Sequence, residues 1–254
     1  NNLINGEQPS PNELACLASY KALCEYSWTH LLSIPIELKY LHRRQILDPE
    51  EEERLASNIP ELEKITDNTS IKVQKQYEQN PYPRWVNLKL SLSPRPICEI
   101  TKELKLKIAD LSINEVESPQ ILIAGCGTGQ HSISSASKFK NCRVLAIDLS
   151  LKSLAYAKRK SDELGVSNIE YMQADILSLA KLNQKFDIIE SSGVLHHMDD
   201  PMAGWGVLAD SLTSGGLIRI GIYSDLARKH IVKIRDEIKE SNIAATLLKI
   251  TERK

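Results

Sequence analysis

Hydrophobic positions divide this chain into two parts with different periodicity. After residue 98, short apolar runs alternate with stretches in which apolar residues recur at helical spacing. The apolar runs predict strands near 120–124, 143–147, 169–172, 186–190 and 216–222. The periodic stretches predict helices near 129–138, 151–164 and 200–211. This alternation predicts a parallel sheet with helices on both faces and right-handed crossovers.

The first 78 residues lack a strand pattern, and we predict that residues 1–78 form a helical module. Apolar residues between Asn12 and Leu32 recur mostly at helical spacing, and Pro35 ends or restarts that helix. Asp48 and Pro49 predict the N-cap and first position of another helix. The acidic run at 50–53 is interpreted as the solvated first turn of that helix and not as a cation site.

A segment rich in proline and aromatic residues connects the two parts, over residues 79–97. Pro81 and Pro83 flank Tyr82, which forbids a regular helix there, and Arg84 and Trp85 follow. Two compatible interpretations remain open. The segment packs the helical module against the sheet domain, or it lies over a cofactor or substrate pocket.

Three glycines after the first predicted strand carry the strongest chemical signal. Gly125, Gly127 and Gly129 alternate directly after an apolar run, where they permit a tight turn and close approach of a ligand. A predicted helix follows, and the next strand ends in Asp148. Strand, glycine turn, helix, strand and acid form the layout of a nucleoside-binding unit, with the carboxylate placed to accept ribose hydroxyls.

The glycine spacing distinguishes between nucleoside ligands. The dinucleotide fingerprint is G-x-G-x-x-G, whereas this chain has G-x-G-x-G at 125–129. That motif resembles the first motif of class I S-adenosylmethionine (SAM) methyltransferases, in which hydrophobic residues precede Gly-Cys-Gly-Thr-Gly. The resemblance implies a doubly wound, mostly parallel, Rossmann-like α/β fold over residues 98–254. It also implies an enzyme of the methyltransferase class with SAM as its cofactor.

The resemblance assigns cofactor-binding residues to the ends of the strands. Its backbone contacts to the methionine portion of SAM fall on residues Ala124, Gly125, Cys126, Gly127, Thr128 and Gly129. Asp148 binds the ribose hydroxyls, and Leu149 packs against the adenine. Asp175 accepts from the adenine amino group and Ile176 packs against the ring; Asp175 taken alone is more typical of a helix N-cap, but this register favours the adenine role.

The fourth strand opens into a loop that contains Gly193, His196 and His197. This loop resembles that of small-molecule methyltransferases with paired histidines. We predict Gly193 as a cofactor-binding residue and the histidines as catalytic residues that orient a substrate or accept its proton. The alternative is that one histidine packs against the sheet and the other bonds a loop carbonyl.

Three residues of the helical module and connecting segment complete the predicted site. Tyr82 is predicted as catalytic, and Tyr77 and Arg84 as cofactor-binding residues, Arg84 through the carboxylate of SAM. No metal ligand set is predicted.

Two features depart from the family pattern. Many members carry an acid two positions before the first glycine, which holds the SAM ammonium group, and here that position is Ile123. The family's strands six and seven are missing, or lie beyond Lys254. These departures leave an alternative open, a non-catalytic SAM-binding or interaction module of the same fold. A nicotinamide oxidoreductase is disfavoured by the glycine spacing.

A narrower resemblance covers most of the chain after about residue 40. The segment at 76–85, Gln-Tyr-Glu-Gln-Asn-Pro-Tyr-Pro-Arg-Trp, is similar to a segment of bacterial methyltransferases that carry tetratricopeptide repeats upstream. Those proteins share Ile123 and Ala124 and a Tyr-Ser-x-x-Ala-Arg segment, here at 223–228.

Composition narrows the partners. The net charge is -1, so no global field draws the chain to nucleic acid or to an anionic membrane. No secretory signal or membrane span is predicted. Five scattered cysteines predict reduced thiols and a cytoplasmic location. We therefore expect a small-molecule substrate or an exposed side chain as the acceptor, and neither nucleic acid nor membrane as a partner.

Overall fold

The computed structural model describes residues 6–224 and 226–240 of the chain. Its centre is a sheet of five strands: β1 (Gln120–Ala124), β2 (Arg143–Asp148), β3 (Ile169–Gln173), β4 (Phe186–Ser192) and β5 (Leu212–Gly221). All pairings are parallel, and the spatial order is β3-β2-β1-β4-β5. The chain reverses direction across the sheet at β1, which is the switch point of a doubly wound fold. The predicted fold class is confirmed.

Helices cover both faces of this sheet. In chain order the sheet region contains α5 (Ile97–Glu103), α6 (Gln130–Lys138), α7 (Leu151–Glu163), α8 (Pro201–Asp210) and α9 (Lys229–Glu240). Successive residues of β1 point to opposite faces. Ile121 and Ile123 pack with residues of α5, α6 and α7, whereas Leu122 and Ala124 pack with Leu208 of α8. The buried, apolar character of β1 on both faces follows from these two layers.

β5 begins earlier than its sequence predicts. The strand starts at Leu212 and includes Gly215 and Gly216, and its register against β4 shifts between Phe186 and Ile188. The glycines interrupt the apolar pattern, so the sequence indicates only the part of the strand after the irregularity. Residues 241–254, where further strands of the family pattern would begin, lie outside the described part of the chain.

The N-terminal region is helical but more broken than predicted. It contains α1 (Pro11–Tyr20), α2 (Lys39–His42), a π-helical turn (Arg43–Leu47), α3 (Asp48–Ala56) and α4 (Asn68–Gln79). The helix expected over 12–32 ends at Tyr20, because Lys21 is extended (φ -153°, ψ 144°). Short 3₁₀ turns follow it. The N-cap predicted at Asp48 is wrong, since Leu47 is already helical and the chain enters Asp48 without a break.

The acidic run at the start of α3 is not fully solvated. Glu52 is buried and pairs with two guanidinium groups, Arg84 at 3.2 Å and Arg159 at 3.0 Å. Arg159 lies on α7, and its side chain also reaches Asp48. A long-range pair of this kind leaves no mark on local sequence, which is why a solvated face was the simpler expectation.

Two contacts attach the segment before α5 to the sheet. The N–H of Gln173 at the end of β3 donates to Pro60 O (2.8 Å), and Leu62 N–H donates back to Gln173 O (2.9 Å). At the far end of α4, the Glu78 carboxylate accepts from Leu151 N–H at the start of α7 (2.5 Å). The chain ahead of α4 is thus attached to the end of β3, and the C-terminal end of α4 is attached to the start of α7. No helix among the described residues has the length and apolarity needed to cross a membrane.

Candidate functional site

A cavity of about 400 Å³ opens at the carboxyl ends of the strands, under α4. Its size and position match those of small-molecule sites in open α/β sheets. The residues that line it are Thr69, Ser70, Val73, Tyr77, Tyr82, Pro83, Gly125, Cys126, Gly127, Thr128, Gln130, His131, Asp148, Leu149, Ala174, Asp175, Ile176, Ser192, Gly193, Val194, His197, Met198 and Tyr223.

The turn after β1 forms the floor of the cavity and depends on glycine. Gly125 has φ +75°, a left-handed conformation that other residues rarely adopt. A Cβ there would lie 2.3 Å from Cγ2 of Val194, in the loop after β4. Gly127 is also left-handed, at φ +53°. The two glycines let the backbone pass close to both the ligand space and the neighbouring loop.

Gly129 serves packing more than ligand contact. It is left-handed (φ +84°) at the N-cap of α6, and its Cβ would lie 2.5 Å from the Cβ of Ala157 on α7. It does not line the cavity. The third glycine of the motif thus brings α6 and α7 together.

The connecting segment holds the glycine turn in place. Trp85 is buried, and its indole Nε1–H donates to Thr128 O at 3.0 Å. The Thr128 hydroxyl in turn donates to Pro83 O at 2.5 Å. Tyr82, mostly exposed, lines the mouth of the cavity. Both interpretations of this segment are therefore observed together, since it packs the module against the sheet and also borders the cavity.

One end of the cavity, here called the acidic end, consists of Asp148, Leu149, Asp175 and Ile176 at the ends of β2 and β3. The Asp148 carboxylate accepts the N–H of Gly127 (2.8 Å) and of Ser150 (2.9 Å). Burial raises the pKa of Asp148 above its ordinary value, and these backbone bonds oppose that rise. Each oxygen keeps a lone pair for a ligand hydroxyl.

Asp175 occupies the other half of the acidic end. Its Oδ1 accepts from Leu177 N–H at 3.0 Å and so caps the 3₁₀ turn Ile176–Leu182. The side chain is buried and also lines the cavity. The N-cap interpretation is therefore observed, and the same residue borders the space for a ligand.

The opposite end, here called the histidine end, consists of His131, Gly193, His197 and Tyr223. His196 stacks beside it, with its ring centroid 4.2 Å from that of His197 and 4.4 Å from that of Tyr223. Burial lowers the pKa of His196 and of His197, and the neighbouring His197 and Arg228 add to the effect on His196. Both rings are consequently neutral near pH 7, with a nitrogen free to accept a proton.

His131 differs from the other two histidines because a carboxylate stands behind it. Its Nε2 lies 2.9 Å from Oε2 of Glu190, on β4, although the ring N–H is not aligned for a straight hydrogen bond. The same carboxylate accepts from the Ser135 hydroxyl (2.5 Å) and lies 3.5 Å from Arg219. Although burial acts to raise it, the contacts with His131, Ser135 and Arg219 lower the pKa of Glu190 to about 2.

Twelve of the predicted site residues line the cavity, and four do not. The four are Arg84, Ala124, Gly129 and His196. Arg84 is directed to Glu52 instead, and Ala124 is fully buried beneath the turn. The guanidinium of Arg84 pairs with a residue of α3, and its contact with the SAM carboxylate stays a prediction.

Sequence reasoning missed the α4 residues Thr69, Ser70 and Val73, together with His131 and Tyr223. The N-cap at Asp67, which accepts from Thr69 and Ser70 N–H, is a local signal for the helix but not for its position over the sheet. His131 follows the glycine motif by two residues, so proximity to that motif was the one available signal.

The one cysteine that lines this cavity, Cys126, is not activated as a nucleophile. Burial, and then the charge of Asp148, raise the pKa of the Cys126 thiol well above its usual range. The described residues contain no cluster of His, Cys, Asp and Glu suited to a metal ion. All five cysteines are unpaired.

Comparison with known proteins shows which proteins this chain is similar to. Residues 121–216 match a family described as a methyltransferase domain. A release factor glutamine methyltransferase of Lactococcus lactis is 32% identical over 57% of this chain and 60% of its own length. An uncharacterized protein of Synechococcus is 36% identical over 47% of this chain and 29% of its own length. A malonyl-[acyl-carrier protein] O-methyltransferase of Acetivibrio thermocellus is 27% identical over 50% of this chain and 44% of its own length.

Solved structures show the same kind of similarity. The magnesium protoporphyrin IX methyltransferase of Synechocystis with bound SAM is 21% identical, with a TM-score of 0.41 over 59% of this chain and 74% of the other. A SAM-dependent methyltransferase of Clostridium acetobutylicum is 24% identical, with a TM-score of 0.40 over 60% and 57%.

The chain spans between 29% and 60% of the length of the first curated relatives that it matches. The residues at the cavity fit the cofactor of the family: a glycine turn without side chains faces the space, and a buried carboxylate offers oxygens to hydroxyls. Residues 121–216 are thus similar to a methyltransferase domain, and the prediction of S-adenosylmethionine as the cofactor is confirmed.

Proposed function

We propose that this chain transfers a methyl group from SAM to a small molecule or an exposed side chain. The observation that carries the proposal is the cavity at the switch point of the sheet, with its glycine turn in the middle and Asp148 to one side. When bound, SAM supplies a methyl group on a positively charged sulfur, which is already activated for in-line displacement.

The acidic end holds the nucleoside in this proposal. The Asp148 carboxylate is fixed by two backbone N–H groups, so its remaining lone pairs are preorganised for the ribose hydroxyls. Leu149 and Ile176 supply apolar contacts for the adenine ring, and Asp175 accepts from its amino group. The cofactor then extends across Gly125 towards the histidine end.

The histidine end receives the acceptor. The neutral rings of His196 and His197, with Tyr223 and Tyr77, line or border the space beyond Gly193. His197 orients an acceptor or takes its proton, and Tyr82 borders the mouth. Because the methyl group is already activated, proximity and orientation supply most of the rate.

The N-terminal region is proposed to act as a cover for the cavity. We retain the division into a helical module over 1–78, a connecting segment over 79–97 and a methyltransferase domain over 98–254. α4 supplies Thr69, Ser70 and Val73 to the wall, which supports a functional coupling of module and domain. The narrower resemblance to methyltransferases with tetratricopeptide repeats, and a cytoplasmic location, stay predictions.

Calorimetric titration with SAM and with S-adenosylhomocysteine (SAH) tests the proposal. We expect binding in the micromolar range, weakened by about 1.5–3 kcal/mol in Asp148→Ala through loss of a charged hydrogen bond. Absence of binding by the unaltered chain would contradict the proposal.

A screen of acceptors with SAM labelled in its methyl group separates the two functional alternatives. Incorporation of label into any acceptor supports methyl transfer. Tight SAM binding without label in any acceptor, while a relative tested in parallel labels its own substrate, favours the non-catalytic module of the same fold.

A further inference from the structure

The histidine end contains one polar pair that the proposed reaction does not use, His131 and Glu190. His131 is the second residue of α6, and about a third of its side chain is exposed, on the cavity wall. Glu190 is nine-tenths buried directly behind it. A carboxylate kept in such a place is costly unless it is paired, so its retention calls for a physical reason.

The partners of Glu190 compensate part of the cost of burying its carboxylate, but they do not neutralise its negative charge fully. Ser135 donates a neutral hydroxyl, and Arg219 is mostly exposed and stands at 3.5 Å, where solvent screens its charge. In the sheet, the residues in register with Glu190 are Ile123 on β1 and Arg219 on β5. Beyond Ile123 the same row continues with Ala146 and Tyr171, so Glu190 is its one carboxylate.

The imidazole of His131 lies between the Glu190 carboxylate and the cavity. Nε2 of His131 faces Glu190, and Nδ1 is the other ring nitrogen. No hydrogen bond of Nδ1 to a described residue is found. The Glu190 carboxylate lies close enough to Nε2 to orient the ring and to strengthen Nδ1 as an acceptor. The pair is thus suited to a cationic donor.

The position of the pair decides which cation it meets. His131 belongs to the histidine end, on the opposite side of Gly125 from Asp148 and Asp175. This step rests on the proposed function: a nucleoside at the acidic end directs the amino-acid portion of the cofactor across the turn. That portion carries an ammonium group.

We propose that His131 accepts a hydrogen bond from the α-ammonium group of the bound cofactor, and that Glu190 positions the ring and supplies the opposing charge. His131 is a binding residue in this proposal and Glu190 a positioning residue. The pair makes the site selective for nucleosides that carry an amino group on the sulfur side chain.

Three ligands that differ in the amino-acid portion test the proposal by calorimetry. They are SAH, its analogue that lacks the α-amino group but keeps the carboxylate, and 5′-methylthioadenosine, which lacks both. We expect His131→Ala to weaken SAH binding about tenfold or more and to change the other two less than about twofold. Glu190→Gln should act in the same direction with a smaller factor.

Two further variants control for shape. His131→Phe keeps the volume of the ring and should reproduce the selective loss, which guards against collapse of the wall in His131→Ala. His197→Ala alters another cavity histidine, one without a carboxylate partner in the described part of the chain, and it should leave the ratio of SAH to desamino-SAH affinity unchanged. Thermal unfolding of each variant identifies any that fails to fold.

The outcomes separate this inference from the proposed function. Equal weakening of all three ligands by His131→Phe overturns the inference, because the residue then only shapes the cavity. Loss confined to the two ligands with a carboxylate overturns it in favour of carboxylate binding. If the unaltered chain binds neither SAH nor 5′-methylthioadenosine, the proposed function is overturned, and the inference with it.

Discussion

The two ends of the cavity are assembled by different means. At the acidic end, carboxylates are held by backbone N–H groups within a few residues of the strand that carries them, as Asp148 is by Ser150 and Asp175 by Leu177. At the histidine end, side chains from separate elements hold one another, as His131 is held by Glu190. Apart from the bond that Gly127 N–H donates to Asp148, the first arrangement is encoded locally, and the second exists only once the sheet has formed.

The glycine turn separates the two ends, so the largest effect is expected there. Gly125→Ala places a Cβ 2.3 Å from Cγ2 of Val194 at a left-handed φ. We expect the free energy of unfolding to fall by about 3 kcal/mol through strain and overpacking. SAH binding should fall below detection, because both ends of the cavity adjoin this turn. Urea unfolding and calorimetry measure the two effects.

Gly206→Ala is the matched control for that substitution. Gly206 lies within α8, and a Cβ there meets nothing within 4 Å. Alanine should raise the free energy of unfolding by about 0.5–1 kcal/mol. Similar destabilisation by both alanines would show that the contact with Val194 is not the cause.

Glu190→Gln tests the histidine end through the pH dependence of the free energy of unfolding. The pKa of Glu190 is lowered to about 2, so its ionised form stabilises the fold above the ordinary carboxyl pKa, and that stability is lost as the pH falls towards 2. We expect the variant to be less stable than the unaltered chain by about 3 kcal/mol at pH 7. The difference should shrink to about 1 kcal/mol at pH 3. A difference that stays constant between these pH values would mean that packing, not ionisation, stabilises this residue.

Asp175→Ala tests the acidic end through the affinities of two ligands that differ in the adenine amino group. If the carboxylate accepts from the adenine amino group, the variant should weaken SAH binding by about 1.5–3 kcal/mol. The inosine counterpart of SAH, which lacks that amino group, should be affected far less. Loss of the cap on Ile176–Leu182 should also lower the free energy of unfolding of the variant by about 1 kcal/mol, and this effect does not depend on which ligand is tested. Equal weakening of the two ligands would assign the effect to the cap alone.

His196→Phe is expected to have the smallest effect. The ring stacks on His197 and Tyr223 but does not line the cavity, and phenylalanine preserves the stacking. SAH affinity should change by less than about twofold, measured by calorimetry. A larger loss would show that His196 reaches the ligand when the cavity is occupied.

The sequence predicted the sheet and the acidic end because both follow from short-range signals. Strand periods, glycines with left-handed φ and an acid at a strand end are all visible within a few residues, and β1 was predicted with the bounds that it has. It did not predict the burial of Glu52 or the pairing of Glu190 with His131, because each partner is more than 30 residues away in the chain. The pairing of Arg84 with Glu52 was missed for the same reason.

Trp85 gives the molecule an optical signal of its own. Its indole bonds the carbonyl of Thr128 in the glycine turn, and its ring meets Tyr156 edge-on with Lys160 above it. The other two tryptophans, Trp28 and Trp205, lie on an N-terminal turn and on α8. Emission from Trp85 therefore responds to any change in the turn, and a chain in which Trp28 and Trp205 are replaced by phenylalanine would report ligand exchange in real time without an added label.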